Sequence, residues 1–564
     1  MTFFYERAFG RNNFRKDIAD MPITEFLENN VKLYGNSICL TEINHSVEDN
    51  RALPWKELSL VETAREGRYR KELTWRAFEE RANQLANLLI ERGVGRGDKV
   101  GLLSMNCIEW LPIYFGVLKA GAVVVPLNFR YSTEEIKYAL DLAEVSALLF
   151  GPEFTGRLQP IVDKVPGVKN WFYTGVDCPS FAEGYEGLAG SRPRGAPGVA
   201  IADEDDAAIY FSSGTTGHPK AILHRHRMLT NSCFVEQKNH KQTRGDVFLC
   251  IPPLYHTGAK MHWLGSLLTG GAAVLLRGAK PKWILDTIAS EKVSIVWLLV
   301  PWAQDILDAI ESGEVNLGDY DLSALRLMHS GAQPVPPSLI RRWKKYFPHC
   351  EYDTTYGLSE SGGPGAVMLG VENIHKAGAI GKAGYSWKTK IVGERGEPVK
   401  PGEIGELLLS GVSLMKCYYR DPDATAAALK DGWLYTGDMA MEDEDGFIFL
   451  VDRKKDVIIT GGENVYPVQV ENFLRGHAKI KDAAVIGLAD HRLGEIAAAI
   501  VEIKPGMECA ESEIRQFCEQ LPRYKRPHRI IFDAVPRNAT GKIEKPKLRN
   551  KYSGGSVVRI QIEN

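Results

Sequence analysis

Apolar residues in the first third of the chain alternate between helical spacing and short continuous runs. An apolar stripe at helical spacing predicts a helix over 78–93, and a short apolar run predicts a strand over 99–103. A second helix over 110–120 and a second strand over 122–127 repeat this pair. The alternation returns over 139–175 and 246–300. Such βαβ alternation is typical of a parallel sheet covered by helices, so the sequence predicts an α/β fold.

The hydrophobic pattern changes near residue 385. Glycines and short apolar runs, such as 405–411 and 447–451, predict a small β-subdomain that closes the large domain. A charged stretch at 452–456 follows, and helix and strand signals then alternate again. We place a domain boundary at this charged stretch. The polar, irregular segment 41–72 is predicted to be a solvated insertion.

The composition narrows the class of protein. A chain of 564 residues is too long for one core, so two or more domains are expected. Hydrophobic residues at 44% and charged residues at 25% are typical of globular proteins, and a net charge of −2 does not indicate binding to nucleic acid or to a membrane surface. Nine scattered cysteines without a C-x-x-C pair indicate free thiols in a reducing compartment. Neither a secretory leader nor an apolar run of membrane-spanning length is recognised, so we expect a cytoplasmic enzyme with no integral membrane segment.

The stretch 212–220 combines hydroxyl side chains, glycines and a lysine directly after a predicted buried strand. Glycine lets backbone N–H groups approach a phosphate chain, Ser and Thr hydroxyls add donors, and the final lysine adds positive charge. The spacing is not that of a Walker loop, because the second glycine would fall at Pro219. A flexible turn is the alternative. We predict a polyphosphate-binding loop formed by Ser212, Ser213, Gly214, Thr215, Thr216, Gly217 and Lys220.

A second candidate for nucleotide binding is the segment 354–360. Its Tyr356 ring could stack on a purine, Ser359 could donate to a phosphate oxygen, and Glu360 is the kind of carboxylate that binds Mg²⁺ beside a triphosphate. The alternative is the start of a helix with Ser359 as its cap. The segment 330–334 follows a predicted strand at 324–328, and open α/β sheets bind ligands at such strand ends.

Two later residues are weaker candidates when taken alone. Asp438 belongs to a predicted tight turn, and its carboxylate could accept both hydroxyls of a ribose, although a β-turn beside solvated charges is the alternative. Lys542 follows a glycine, where a lysine is usually a surface charge. His224 and His226 lack further ligands at metal spacing, so no zinc site is expected there. The sequence carries no nucleophile elbow.

In this order, the segments resemble those of the adenylate-forming enzymes, and in particular the AMP-forming acyl-CoA synthetases. The resemblance extends over nearly the whole chain and rests on 118–122, 212–220, 356–360, 378–384, Asp438, Arg453 and Lys542. It implies that a carboxylic acid attacks the α-phosphorus of ATP, which gives an acyl-adenylate and pyrophosphate, and that the thiol of coenzyme A (CoA) then displaces AMP. Both steps depend on positioning and charge stabilisation rather than on a protein nucleophile.

The resemblance also implies roles for individual residues. Lys542 matches the family's catalytic lysine, which stabilises negative charge in the transition state, while Asp438 and Arg453 match its ribose ligands. The expected catalytic set is Lys542, Thr216, Glu360 and His256, with Glu360 as the Mg²⁺ ligand. His256 matches the family's aromatic position that closes the acyl site, and a core histidine in a polar niche is the alternative. ATP, AMP and CoA are expected to contact the loop 212–220 and Gly331, Ala332, Gln333, Pro334, Thr355, Tyr356, Gly357, Ser359, Asp438, Arg453, Lys455, Gly461 and Gly462.

By the same resemblance, Lys455 matches the hinge of a mobile C-terminal domain, and Gly461 and Gly462 match glycines that open a tunnel for the pantetheine of CoA. These matches favour CoA as the acceptor. Transfer of the acyl group to a separate carrier protein is the alternative, and a protein that binds without catalysis is a third reading. An N-terminal ATP- and acid-binding domain is expected over 1–452, built of parallel-sheet α/β subdomains and the small β-subdomain. A hinge at 453–455 is expected to join it to a small C-terminal α/β domain over 456–564 that carries Lys542.

The carboxylic acid is predicted only by its size. Gly357 stands where family members restricted to acetate carry tryptophan, so it implies a deeper pocket. Trp302 departs from the family, which often has threonine there. The pocket wall is expected from Tyr255, His256, Trp297, Trp302, His329, Gly357 and Leu358. We expect an aromatic, alicyclic or medium-chain acid.

Overall fold

The computed structural model describes residues 21–45, 69–212, 219–332, 335–363, 365–537 and 542–553. Two large sheets, three smaller sheets and the helices that cover them form this part of the chain. Its α-helices are Thr24–Tyr34, Trp75–Glu91, Trp110–Lys119, Thr133–Leu142, Thr155–Leu158, Tyr185–Gly190, His226–His240, Met261–Thr269, Pro281–Ser290, Val300–Glu311, Pro337–Tyr346, Pro422–Ala428, Pro467–Leu474, Glu511–Cys518 and Lys545–Tyr552. The mixed α/β architecture confirms the predicted fold class.

The first large sheet is parallel through its centre and antiparallel at one edge. Its central strands are buried apolar runs, as expected when helices cover both faces. In spatial order the strands are Cys417–Tyr418, Ala221–Arg225, Asp206–Phe211, Val123–Pro126, Lys99–Leu103, Val145–Phe150, Asn170–Tyr173 and Glu183–Gly184. The strand Asp206–Phe211 ends at the loop 212–220.

The second large sheet is parallel except for one edge pair. In spatial order its strands are Glu351–Asp353, Leu327–Gly331, Ile295–Leu299, Val247–Cys250, Ala272–Arg277, Ile38–Asn44 and Tyr69–Thr74. The last two strands pair antiparallel and occupy both ends of the segment 41–72. The prediction of a solvated insertion is therefore wrong for 41–44 and 69–72, because these residues complete a sheet; residues 46–68 lie outside the described part.

Two antiparallel sheets follow, in the region where short β runs were predicted. The smaller contains Thr355–Tyr356, Val367–Met368 and Lys382–Ala383. The larger contains Trp387–Val392, Gly405–Gly411, Trp433–Glu442, Leu429–Lys430 and Ile448–Arg453. In the larger sheet Asp438 and Arg453 are paired residues on adjacent strands, so the register alone places their side chains together.

The last sheet lies wholly after residue 456. Its strands are Glu463–Val465, Ile458–Thr460, Gly494–Ile503, Ile480–Asp490 and Arg529–Phe532, with a separate apolar core beneath them. Lys542 follows this sheet and precedes the helix Lys545–Tyr552. The chain thus brings Lys542 to the site from a different core than the one that carries Asp438.

The predicted elements differ from the observed ones mainly at their ends. The helix predicted over 78–93 begins at Trp75, because the hydroxyl of Thr74 accepts the backbone N–H of Ala77 as an N-terminal cap. The strand predicted over 324–328 is observed as Leu327–Gly331. The strand therefore extends to Gly331 and ends directly at the candidate site.

Candidate active site

A cavity of about 500 Å³ lies between the ends of the two large sheets, the antiparallel sheets and the C-terminal part. It brings together most of the residues that were predicted from separate motifs. The predicted residues on its wall are Ser212, Lys220, His256, Trp297, Gly331, Ala332, Thr355, Gly357, Leu358, Ser359, Glu360, Arg453, Lys455 and Lys542. A neighbouring cavity of about 270 Å³ shares several of these residues and adds Tyr356 and Asp438.

Asp438 has a buried carboxylate that two donors orient. The phenol of Tyr356 donates to Oδ2 at 2.6 Å, and Nε of Arg453 lies 2.6 Å from Oδ1. Burial and the neighbouring Asp438 charge raise the pKa of Tyr356 well above its usual value, so the phenol stays a donor. Each carboxylate oxygen has more than one lone pair and retains the capacity to accept a ribose hydroxyl.

Glu360 is held by a tyrosine that the sequence analysis did not single out. Tyr418 donates to Oε1 of Glu360 at 2.8 Å, and the ammonium of Lys220 lies 4.5 Å from the centre of the Tyr418 ring. The imidazole Nε2 of His224 lies 2.8 Å from the carbonyl oxygen of Ser359. Tyr418 is 58 positions from Glu360 in the sequence, so only the edge strand Cys417–Tyr418 brings the two together.

Lys542 lies against the negative side chains of the site. Burial lowers the pKa of its ammonium, and the nearby Arg453 acts in the same direction, whereas Asp438 and Glu360 oppose the shift. Burial lowers the pKa of His256 to about 3, with the Lys542 ammonium acting in the same direction, so this imidazole is neutral. Among its described residues, the wall of the cavity of about 500 Å³ carries one carboxylate, that of Glu360, against the cations Lys220, Arg453, Lys454, Lys455 and Lys542. The cavity therefore attracts further negative charge.

The neck of the loop 212–220 is closed by two hydrogen bonds. The N–H of Ser212 donates to the carbonyl of Lys220, and the N–H of Lys220 donates to Oγ of Ser212, both at 2.9 Å. Several predicted phosphate and adenine contacts lie outside the described residues, namely Ser213, Gly214, Thr215, Thr216, Gly217, Gln333 and Pro334. Ala332, which lines both cavities, has a φ of +65°, a strained value for a residue with a Cβ.

Gly357 is required by the backbone as well as by the pocket. A Cβ at this position would lie 2.6 Å from the carbonyl oxygen of Gly363, closer than side chains tolerate. From the sequence, glycine was expected here only because of the space that it leaves for the acid. Trp297 forms the opposite wall, and it packs so closely that a Cβ on Gly258 would lie 3.2 Å from its ring.

Three residues predicted for the pocket wall lie elsewhere. Trp302 sits near the start of the helix Val300–Glu311 and packs on the core beneath the second sheet. Tyr255 is buried behind His256, with 4.3 Å between the ring centres, and His329 is buried behind Trp297, with 6.1 Å between the ring centres. The prediction is therefore wrong in detail for Trp302, Tyr255 and His329, because sequence proximity to a strand end does not fix the direction of a side chain.

Lys260 is a site residue that sequence reasoning missed. Its buried ammonium donates to the carbonyl oxygens of Leu254 and His256, each at 2.6 Å, and so holds the loop that carries His256. Burial lowers the pKa of Lys260 to about 7. The signal was a lysine directly before the helix Met261–Thr269, most of which is apolar.

Gly461 and Gly462 form the turn between the strands Ile458–Thr460 and Glu463–Val465. Both have positive φ, +58° and +87°, which explains the need for glycine there. They lie at the tip of this hairpin rather than on the wall of either cavity. Lys455, by contrast, lines both cavities.

Comparisons with known proteins identify the family of this chain. The family model described as AMP-binding enzyme matches residues 51–419, and that described as AMP-binding enzyme C-terminal domain matches residues 469–542. The chain is 32% identical over 490 residues to the long-chain-fatty-acid–CoA ligase FadD13 of Mycobacterium tuberculosis strain H37Rv, covering 85% of the chain and 93% of that protein. It is 33% identical over 490 residues to a feruloyl-CoA synthase of an Amycolatopsis species, with 85% and 94% covered.

The fold is similar to solved structures over nearly its whole length. The crystal structure of the anthranilate CoA ligase AuaEII with anthranoyl-AMP matches with a TM-score of 0.83 and 26% identity, covering 94% of this chain and 97% of that one. The fatty acyl CoA synthetase of Mycobacterium tuberculosis matches with a TM-score of 0.71 and 28% identity, covering 94% and 98%. Among the described residues, the helices are too short or too polar to cross a membrane.

Proposed function

Because the chain belongs to the AMP-binding enzyme family, among the adenylate-forming acyl-CoA synthetases, we propose that it activates a bulky carboxylic acid with ATP and transfers the acyl group to CoA. Membership confirms the resemblance predicted from the motifs and the predicted class of AMP-forming acid–thiol ligase. The acid, the residue roles and the acceptor are the parts of the proposal that need experiments.

The observation that carries the proposal is the position of Lys542. This lysine reaches, from the C-terminal part, a cavity that Glu360 and Arg453 line from the N-terminal part. In the adenylation step a carboxylate oxygen of the acid forms a bond to the α-phosphorus, and the bond to pyrophosphate breaks. Negative charge builds on the phosphoryl oxygens, and the Lys542 ammonium is placed to stabilise it.

The ribose and the phosphates of the nucleotide have chemically matched partners. Asp438, oriented by Tyr356 and Arg453, would accept the ribose hydroxyls. Ser212 and Lys220 stand at the neck of the phosphate loop and would bind the phosphates of ATP. Thr216, in the same loop, would bind these phosphates as well. His256, neutral and held by Lys260, would close the acid against the α-phosphate.

Glu360 fits the predicted role of Mg²⁺ ligand. Its carboxylate faces the cavity and is fixed through Oε1 by Tyr418, which leaves Oε2 for a cation. Magnesium commonly binds through one or two carboxylates together with substrate phosphates. When bound, the ion would neutralise charge on the phosphates of ATP.

The acid side of the cavity favours an aromatic, alicyclic or medium-chain acid. Its wall combines the ring of Trp297 with Met261, Leu358 and the backbone of Gly357, and the whole cavity measures about 500 Å³. A flat ring and apolar neighbours suit a ring-bearing acid. Relatives named for feruloyl-CoA, indoleacetate and anthranilate support the same class.

For the second step, we propose that the part after the hinge rotates so that CoA can reach the acyl-adenylate. The domains would be 1–452 and 456–564, joined at 453–455, with Lys455 as the pivot and Gly461 and Gly462 beside the path of pantetheine. All nine cysteines are free thiols, which supports the cytoplasm as the compartment. Transfer to a carrier protein is the second candidate, because one relative is named a fatty acid–[acyl-carrier-protein] ligase.

Two assays test the function. The first is exchange of labelled pyrophosphate into ATP with phenylacetate, 3-phenylpropanoate, cyclohexanecarboxylate, hexanoate or acetate; the second is release of AMP when CoA is added. We expect exchange with the ring-bearing acids and AMP release that depends on CoA. Exchange without CoA-dependent AMP release would favour the carrier protein, and the absence of exchange with every acid would contradict the proposal.

A further inference from the structure

A chain of buried hydrogen bonds leads from the wall of the cavity into the core. Oγ1 of Thr355, on the cavity wall, lies 3.1 Å from Nε2 of His329. Nδ1 of His329 lies 2.8 Å from Nε2 of His262, whose Nδ1 contacts the carboxylate of Glu236. His329, His262 and Glu236 are fully buried, so each proton in this chain must be shared between protein groups.

Further hydrogen bonds hold Glu236, the residue at the buried end of this series of contacts. Oε1 of Glu236 also lies 2.7 Å from Nδ1 of His240, whose Nε2 lies 2.8 Å from Oδ2 of Asp353. The other oxygen of Asp353 accepts the backbone N–H groups of Thr354 and Gly370 at 2.8 and 2.9 Å. Both partners of His240 are therefore acceptors, and its ring must donate from both nitrogens.

The charge states agree with this pattern. Burial opposes the charged form of His240, but Glu236 and Asp353 outweigh burial and raise the pKa of His240 to about 10. Burial also opposes a charged Glu236, but the two neighbouring imidazoles hold its pKa well below the usual range. Burial lowers the pKa values of His262 and His329, so both are neutral and each carries one proton.

The spacing is that of shared protons rather than of a bound metal. Two ligand atoms of a tetrahedral zinc ion stand about 3.3 Å apart, given metal–ligand distances of about 2.0–2.1 Å. The distance between Glu236 Oε1 and His240 Nδ1 is 2.7 Å, and the contact with His262 is closer still. The group is therefore a hydrogen-bonded network.

The network determines the direction of every bond up to the cavity. Nδ1 of His262 contacts the ionised carboxylate of Glu236. A lone pair on this nitrogen would be repelled by that charge, so His262 carries its proton on Nδ1, which leaves its Nε2 as an acceptor. His329 must then donate from Nδ1, and its own Nε2 becomes an acceptor. The only proton left for the last bond belongs to the hydroxyl of Thr355, which must donate to His329.

We propose that Thr355 presents to the acid an oxygen that can only accept hydrogen bonds, and that the natural acid carries a hydroxyl or amino donor at this wall. This inference rests on the proposed function and specifies its acid further. Thr355, which the resemblance placed among the nucleotide contacts, lines the same cavity as Trp297, Met261 and Leu358, so its hydroxyl can face the acid there. Thr257 is a second hydroxyl on the wall of this cavity. A donor on the acid would pair with Thr355, whereas an ether or carbonyl oxygen would face another lone pair.

Acids that differ only in one ring substituent test whether the pocket prefers a hydrogen-bond donor to an acceptor at the same ring position. The probes are 3-phenylpropanoates that carry a hydroxyl, a methoxy or a methyl group at ring position 2, 3 or 4, measured by pyrophosphate exchange. At the best-tolerated position, the hydroxy acid should have a kcat/KM about tenfold above those of both analogues, the scale of one hydrogen bond. If the methyl acid equals or exceeds the hydroxy acid at all three positions, the inference is overturned.

Variants assign the preference to Thr355. Thr355→Val should reduce the hydroxy-to-methyl ratio to about one, and Thr355→Ser should retain it. Thr257→Val is the matched control, because Thr257 lines the same cavity but lies outside the hydrogen-bonded chain. A preference that survives Thr355→Val, or that disappears in Thr257→Val instead, contradicts the inference.

One further variant tests the direction of the bond. His329→Leu removes the acceptor of the Thr355 proton, so the hydroxyl could donate to the acid. The kcat/KM for methoxy acids should then rise relative to that for hydroxy acids, and a ratio unchanged from the parent would contradict the assigned direction. Thermal unfolding checks that the variant is folded. If it is not folded, the Thr355 variants decide the question. Exchange that occurs without any hydroxyl preference refutes this inference alone, whereas no exchange with any probe refutes the proposed function.

Discussion

Tyr356 donates a hydrogen bond of 2.6 Å to Asp438. This bond connects the strand Thr355–Tyr356 to the strand Trp433–Glu442 of the larger antiparallel sheet. Arg453 contacts the other oxygen of the same carboxylate from the adjacent strand. These two side chains hold Asp438 in one orientation before any nucleotide binds. A preorganised carboxylate loses less conformational freedom on binding the ribose, so its affinity for nucleotide depends on these partners.

The first prediction concerns this orientation. Tyr356→Phe keeps the ring but removes the donor to Asp438, so we expect the KM for ATP to rise about three- to tenfold, the effect of one hydrogen bond, with a smaller change in kcat. The measurement is pyrophosphate exchange at varied ATP. An unchanged KM for ATP in this variant would mean that the hydrogen bond does not support nucleotide binding.

The second prediction concerns stability and pH. His240 faces Glu236 and Asp353, with the rings of His262 and His329 and the side chain of Arg326 beside it. Its pKa is raised in the folded protein to about 10 from 6.5, so its charged form stabilises the fold fully below about pH 6.5, and this contribution is lost as the pH rises to about 10.

The test compares the parent with His240→Gln by urea unfolding at pH 6 and pH 9. The variant should be clearly less stable at pH 6, and the difference should shrink towards pH 9 by up to about 1.4 kcal/mol per pH unit. A difference in the free energy of unfolding that is the same at both pH values would contradict the account of a charged His240.

The third prediction concerns Gly357. Because a Cβ there would meet the carbonyl oxygen of Gly363 at 2.6 Å, Gly357→Ala should lower the free energy of unfolding by about 1–3 kcal/mol and reduce exchange with ring-bearing acids more than with acetate. Gly187→Ala is the control, because a Cβ at Gly187 meets nothing within 4 Å. Equal stability of the two variants would show that the backbone contact at Gly357 relaxes at no cost.

Local sequence signals predicted the elements and the motifs at strand ends, since these depend on nearby residues. The strand Asp206–Phe211 and the helix Trp110–Lys119 lie where the apolar pattern placed them. The strands Ile38–Asn44 and Tyr69–Thr74 were not predicted. Tyr69–Thr74 is mostly polar, and the strand Ala272–Arg277, on which Ile38–Asn44 pairs, is more than 200 positions away in the sequence.

The candidate site likewise contains residues that local motifs predicted and residues that they did not. Asp438, Arg453, Glu360 and Lys542 were found because each stands in a recognisable motif. Tyr418 and the network of Glu236, His240 and His262 were not found, because their partners are distant in the sequence; only the spacing of Glu236 and His240, four residues apart on one helix, gave a signal. Trp302, Tyr255 and His329 were placed on the wall since a sequence does not reveal which way a side chain near a strand end points.

In the proposed mechanism, Lys542 acts in adenylation from the C-terminal part of the chain. The most direct measurement compares the two half-reactions of Lys542→Ala, with Lys547→Ala as the control, because Lys547 is an exposed lysine of the neighbouring helix. We expect acid-dependent pyrophosphate exchange to fall by about 10²-fold or more, the scale of one lost preorganised charge, while CoA still reacts with preformed acyl-adenylate at nearly the parent rate. An equal loss in both half-reactions, or a loss as large in Lys547→Ala, would contradict the account.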